Sequence, residues 1–461
     1  MDTNIYSKLN KNIYHSDTRN YPINHKIRAI MFDHLDYLYN LDDSGKARSC
    51  VLDNVEHSLL CNTVYLGFDL FECPNCGNES IIAHKCHSRF CNACGVKYAK
   101  QLAAKAVSSC LDVTHRHMVF TIPESLRRIF REDRSRMNLL FVASRNTISS
   151  IVNHNIYRKA KRLGLKNTHY LYKDYRHANQ FGMITTLHTF GRDLKWNPHI
   201  HALVPEMIYN PDKDTIKPFH HFDFKKLRLT FQYELLRLLH ELLGPSFKPL
   251  MNQIYKQQDN GFYVYARTME DNPEFNDEKN SKDINGCVNY CMRYASRPAM
   301  AESRIIDYCR EDDSVTWFYH DHKDEKKHIV KDKAVNFINR LILHIPDYHF
   351  RLIHYYGFYS NAAHKTLNRC HELLGDKKQK DYSEATRIQK REKLLNKLKY
   401  RTHLIDTFNR DPLKCKCGFL FKYIETYNPL EGIHNEREYR KQCFDEMRTL
   451  RIRGKSSCMD S

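Results

Sequence analysis

The sequence predicts a mixed α+β protein with a central antiparallel sheet flanked by helices. A small cysteine-rich module precedes this domain and a mostly helical region follows it. Three observations predict this. Apolar/polar alternation over His117–Ile122 reads as a strand, and Phe181–Phe190 and His199–Val204 read as two more, interleaved with long helical segments and short connections. Cys73-x-x-Cys76 and Cys91-x-x-Cys94, with 14 residues between the pairs, have zinc-ribbon spacing. The run Asn197-Pro198-His199-Ile200-His201 puts two histidines on one side of a strand, because strand side chains alternate with a period of two.

The elements follow in order. Residues 1–60 form a helical lead-in, with one helix expected over Ile27–Leu41. Residues 61–110 hold the cysteine-rich module, and Lys97–Leu111 reads as a helix rich in Ala, Lys and Leu. Residues 111–310 form the sheet domain. Its first strand stops at Pro123, which cannot donate to a ladder. Met137–Leu163 has helical apolar spacing and closes at Gly164. Phe181–Phe190 and His199–Val204 are strands joined by the polar loop Gly191–Pro198. Phe222–Leu243 is a helix ended by Gly244-Pro245, and Gly261–Arg267 is a further strand. A polar, acidic loop at 270–283 leads to a helix over Asn285–Ser296, closed off by Pro298. Residues 311–461 read as a short strand, Ser314–Tyr319, and then helices. Lys377–Arg401 carries ten Lys/Arg against three acids. That excess suits a solvated helix face or a DNA-backbone contact equally well.

The chain is strongly basic, with 73 Lys+Arg against 54 Asp+Glu and a net charge of +19. Such a balance favours a polyanionic partner, most simply nucleic acid. The 29 tyrosines and 24 phenylalanines suit stacking on unpaired bases where they are not in the core. The opening residues Met1–Tyr6 lack the apolar run of a signal peptide, and no apolar stretch approaches the ~18 residues that span a membrane. The expectation is a cytoplasmic, reduced protein without membrane contact, in which paired cysteines bind metal rather than form disulfides.

The chemistry concentrates in three groups. His188 precedes His199 by eleven residues; if the two strands form a hairpin, it approaches His199 and His201 across them. Three imidazoles leave open coordination positions for substrate oxygen. They could hold Mg²⁺, Mn²⁺ or Zn²⁺, and Mg²⁺ or Mn²⁺ is expected for DNA cleavage. Tyr290 and Tyr294, four apart, share a helix face. A tyrosine hydroxyl has a pKa of about 10 and needs a cation to act as a nucleophile on phosphate. Cys73, Cys76, Cys91 and Cys94 are expected to hold one structural Zn²⁺, with Cys86 a further thiol inside the cluster and an alternate ligand. Cys61 lies off knuckle spacing, and Cys415-x-Cys417 is too tight for an ordinary knuckle.

At these residues the chain resembles the rolling-circle transposases of bacterial insertion sequences, the two-tyrosine branch of the HUH endonuclease superfamily. The resemblance runs over about residues 60–420. Cys73-Pro74-Asn75-Cys76-Gly77 and Arg89-Phe90-Cys91-Asn92-Ala93-Cys94 are similar to that family's zinc-binding domain. His117–Pro123, Leu187–Gly191 with Asn197–His201, and Tyr290-Cys291-Met292-Arg293-Tyr294 with Arg297-Pro298 are similar to its first strand, metal motif and catalytic helix. Phe337–Arg340, His344–Pro346 and Tyr355–Gly357 resemble its C-terminal block. The chain departs from the pattern at Asn197, where histidine is frequent, and at Cys415/Cys417, where one residue of Cys-x-x-Cys is missing. The resemblance implies an HUH-type nuclease domain over 111–310. It would nick and rejoin single-stranded DNA at the ends of a mobile element through a 5′-phosphotyrosine. Rival readings are a replication initiator or relaxase with the same chemistry, a non-catalytic zinc-dependent DNA-binding regulator, and a zinc hydrolase. The hydrolase lacks a carboxylate beside the motif.

Overall fold

The computed structural model describes residues 25–154, 179–220, 222–266, 298–321, 324, 326–378, 384–397 and 399–456, apart from 400, 403–404, 406–410, 412, 432 and 434. Helices α1 (Lys26–Asp33), α2 (Leu35–Asp43) and α3 (Ser49–Leu60) come first. The single helix expected over Ile27–Leu41 breaks at His34, whose φ of −115° and ψ of 21° leave the helical region. A hairpin of β1 (Phe68–Glu72) and β2 (Glu79–Ala83) leads to α4 (Asn92–Ser109).

The central domain then runs β3 (His115–Thr121), α5 (Glu124–Glu132), α6 (Asn138–Val152), β4 (Gly182–Phe190) and β5 (Trp196–Pro205). A small hairpin follows, β6 (Met207–Asn210) and β7 (Thr215–Pro218), then α7 (Phe224–Leu243), α8 (Lys248–Gln257) and β8 (Val264–Tyr265). Helix α7 starts where the Asp223 carboxylate accepts from the Lys226 amide at 3.1 Å, and it stops at Gly244, with φ of 74°. Next come a three-stranded sheet of β9 (Ile305–Cys309), β10 (Ser314–His320) and β11 (Lys327–Lys333), then α9 (Ala334–Ile342), β12 (Ile353–Gly357), α10 (His364–Lys378) and α11 (Glu384–Lys397). Strand β13 (Lys422–Tyr427) and helix α12 (Glu436–Ser456) come last.

The central sheet has the order β12-β4-β5-β3-β8, with every neighbouring pair antiparallel. Period-two alternation gives it two faces. One face carries Met118, Phe120, Leu187, Ile200, Ala202 and Val264, all buried with Phe130, Phe141 and Phe231 of the covering helices. Phe120 and Phe231 meet with ring centroids 5.0 Å apart. Each of these side chains larger than alanine contributes about 1.5–3 kcal/mol. The opposite face is closed at one end by Ala103 and Ala106 of α4 and Cys370 and Leu374 of α10, packed with Ile184 and Leu203. Its other end carries His117, His188, His199 and His201.

The two ends of the described chain meet. Strand β13 pairs with β1, and Phe444 and Met447 of α12 share one apolar core with Ile30, Val55 and Leu59. Trp317 of β10 and Phe337 of α9 complete that core. The lead-in, the cysteine-rich hairpin and the C-terminal helix are therefore packed together, not strung out in sequence order. Among the described residues no helix is long and apolar enough to cross a membrane.

Candidate functional site

The hairpin of β4 and β5 sets His188 directly opposite His199 and Thr186 opposite His201. Strand β3 adds Val119 opposite His201, so His117 stands one pleat away on the same face. The ligand nitrogens of His188, His199 and His201 all lie within 4.8 Å of one another. All three side chains are buried. The structure thus brings together the three histidines expected to share an ion.

Their hydrogen bonds orient the rings. His199 Nδ1 donates to the Asn197 carbonyl at 2.6 Å, which leaves Nε2 as the nitrogen available to a metal. His201 Nδ1 lies 2.9 Å from His117 Nε2, and the two rings stack with centroids 5.1 Å apart. Burial pushes the His199 pKa down to about 4, and the Arg127 charge adds to this. Burial likewise holds His201 well below the ordinary value, helped by repulsion from His188, His199 and His117. His199 and His201 therefore stay neutral near neutral pH, the form that ligates metal. Asn197, on the same side of β5, has a buried Oδ1 without a hydrogen-bond partner among the described residues. Three clustered imidazole nitrogens fit a divalent cation.

A cavity adjoins His188. Its walls include Thr189, Pro298 and Ala299, and also Arg89 and Phe90 from the cysteine-rich module. Tyr290 and Tyr294 fall outside the described residues. The span that carries them departs after Ala266, next to Tyr265, whose ring lies 6.1 Å from that of His117. It rejoins at Pro298, in the cavity wall beside His188.

The cysteines correct the sequence reading. Cys73, Cys76, Cys91 and Cys94 do not converge on one point. Cys91 and Cys94 join Cys86 and Cys61, while Cys73 and Cys76 join Cys415 and Cys417. Spacing along the chain links the two knuckles, but β1 and β2 carry the first of them away from the second. Cys61 ends α3, and Cys91 and Cys94 sit at the start of α4. The Cys61–Cys94 and Cys86–Cys94 sulfurs are 3.6 Å and 3.7 Å apart. Four thiolates tetrahedral about zinc, at ~2.3 Å each, stand about 3.8 Å from one another. Cys61, Cys86 and Cys94 donate to Cys91 and pull its pKa down. The buried Arg28 guanidinium lies against the same sulfur, 3.2 Å away. A cation buried against a sulfur cluster balances the charge of ionised thiols. Sequence reasoning passed over Cys61 because its only local signal is a lone cysteine after an apolar helix.

Comparison with known proteins agrees with this layout. The family described as "Transposase zinc-binding domain" matches residues 32–122, and the family described as "Putative transposase" matches 182–366. The first match takes in Cys61 through Cys94, and the second the three histidines and both tyrosines. The two matches fall in the order zinc-binding domain first and transposase domain second. It is 27% identical to "Transposase for insertion sequence element IS801" of Pseudomonas savastanoi pv. phaseolicola over 331 residues, 70% of this chain and 74% of that protein. It is 26% identical to "Putative transposase y4qJ" of Sinorhizobium fredii over 335 residues, 68% of this chain and 76% of that protein. No solved structure matches the chain. The zinc-binding match and the cysteine clusters together support structural Zn²⁺.

Proposed function

We propose that the protein is a rolling-circle transposase of the HUH type, which nicks and rejoins single-stranded DNA at the ends of a mobile element. His188, His199 and His201 would hold Mg²⁺ or Mn²⁺. When bound, that ion polarises the scissile phosphate and lowers the cost of ionising a tyrosine hydroxyl. Tyr290 or Tyr294 attacks phosphorus, and the bond to the 3′-oxygen breaks. The DNA is left joined through its 5′-phosphate to the tyrosine, and a 3′-OH is freed. The bond energy is kept in the phosphotyrosine, so a 3′-OH can reverse the step and join strands. Two tyrosines at i and i+4 let one site handle two strands in succession.

The observation that carries this reading is the buried three-histidine face, flanked by both points where the tyrosine-bearing span meets it. Tyr294 is four residues from Pro298, a reach of at most about 14 Å. The cluster of Cys61, Cys86, Cys91 and Cys94 would hold zinc that fixes the module carrying Arg89 and Phe90 beside the site, where they can meet DNA.

The test is incubation with labelled single-stranded DNA from the flanks of the gene. The expected result is a protein–DNA adduct that survives denaturation, needs Mg²⁺ or Mn²⁺ and is lost in His201→Ala. An adduct formed equally well in EDTA, or by the His201→Ala protein, would overturn the metal assignment.

A further inference from the structure

We propose that Cys73, Cys76, Cys415 and Cys417 form a second zinc site, which fastens the C-terminal strand to the cysteine-rich hairpin. The two cysteine pairs are more than 300 residues apart in sequence, and the zinc-binding family match ends at residue 122. Backbone pairing brings them together. Strand β13 runs antiparallel to β1, with Glu72 opposite Lys422. The turn after β1 carries Cys73 and Cys76, and the turn before β13 carries Cys415 and Cys417, so the register sets the two turns face to face.

Each turn is built to point sulfurs at a common centre. In the first, the Gly77 amide donates to the Cys73 carbonyl at 2.9 Å, and Gly77 takes a φ of 66°. In the second, the Cys415 amide donates to the Phe419 carbonyl at 2.8 Å and the Gly418 amide to the Cys415 carbonyl at 3.0 Å, with Gly418 at φ 96°. Both glycines hold left-handed conformations that close a tight turn. This second turn makes the short Cys-x-Cys spacing workable, because Cys417 reaches both thiols of the first pair while Cys415 reaches Cys76.

The sulfur distances fit a shared ion. Cys73–Cys417 is 3.4 Å, Cys76–Cys417 is 3.5 Å and Cys76–Cys415 is 3.6 Å. A disulfide needs about 2.05 Å and joins thiols in pairs. Here Cys417 is nearly equidistant from two partners, and the spacing is close to the ~3.8 Å edge of a zinc tetrathiolate. Asn78 Nδ2 lies 3.9 Å from Cys415 Sγ, an N–H directed at a ligand sulfur. Lys414 and Lys416 flank the site with positive charge, which suits the net −2 of Zn²⁺ with four thiolates.

The site is independent of DNA chemistry, so its failure leaves the nicking reaction untouched. The reduced full-length protein, loaded with zinc and freed of loose metal, should contain two zinc ions per chain. Cys415→Ser/Cys417→Ser should retain one, and Cys61→Ser/Cys86→Ser should retain the other. Alkylation of the wild-type protein gives a readout that does not depend on a variant folding. Cys76 and Cys417 are exposed, and as free thiols they react with iodoacetamide at once. Zinc should protect both until it is stripped by a chelator. Rapid alkylation of Cys417 in the zinc-loaded protein overturns the proposal. So does a Cys415→Ser/Cys417→Ser protein that holds as much zinc as the wild type.

Discussion

Replacing His117 with Phe should weaken metal binding at the histidine face without unfolding the sheet. With His201 Nε2 turned to the ion, its Nδ1 carries the ring proton and donates it to His117 Nε2, 2.9 Å away. Phenylalanine keeps a ring in the stack against His201, so the packing of the two rings survives. It removes the acceptor, and the His201 N–H is left buried facing carbon. An unpartnered buried donor costs about 1–3 kcal/mol. Loss of the group that orients a ligating histidine lowers affinity about 10–100-fold. The two figures agree, because tenfold is ~1.4 kcal/mol. Mn²⁺ titration of the full-length protein, followed by calorimetry, reads the change directly. His117→Gln, whose amide oxygen can accept the same hydrogen bond, should recover most of the affinity. An unchanged Mn²⁺ affinity in His117→Phe would refute the orienting role, as would an equal loss in both variants.

Cys86→Ser should remove one zinc and loosen the module around α4, and DNA binding should weaken while the central sheet stays folded; metal analysis with circular dichroism checks it, and full zinc content contradicts it. A pH effect should arise at His344, which burial holds at about 4 while it accepts from Thr189 and donates to the Leu194 carbonyl. The unfolded chain takes up this proton near pH 6.5, so the fold loses stability as pH falls from there towards 4, by about 2 kcal/mol at pH 5. Urea unfolding at pH 7 and pH 5 should show a drop that is smaller by that amount in His344→Gln; equal drops contradict it. Glu206→Gln should cost about 3–5 kcal/mol, because Arg116 Nε lies 2.8 Å from the Glu206 carboxylate and both are buried. A thermal midpoint within a degree of wild type in Glu206→Gln would contradict that estimate.

Local periodicity made the centre of the fold legible. Strands β3, β4 and β5 are all expected from the local sequence, and His188 falls opposite His199 because the polar Gly191–Pro198 connection is short enough for a hairpin. Helix α7 is bounded by its own Asp223 cap and by Gly244. Non-local pairing was not legible. Strand β12 joins β4 from more than 160 residues away, with Ile353 opposite Thr186, and nothing in Ile353–Gly357 says so. The cysteines mislead for the same reason. Knuckle spacing is a local signal, but ligand sets are fixed by which turns the sheet brings together. Cys61 and Cys415/Cys417 entered their clusters only through the packing of α3 and the pairing of β13 with β1. The break between α1 and α2 turns on one residue, His34, whose Nε2 bonds Asp313 at 2.9 Å, and that partner lies 279 residues on.

In the proposed reaction, Tyr290 and Tyr294 make the covalent bond to DNA. Peptide mapping of the protein–DNA adduct tests it most directly. Tyr290→Phe/Tyr294→Phe removes two hydroxyls and little else, so the double variant should bind DNA and Mn²⁺ and form no adduct. In the wild type the 5′-phosphate should be found on Tyr290 or Tyr294. DNA attached to any other tyrosine, or an adduct that persists in the double variant, would contradict the claim.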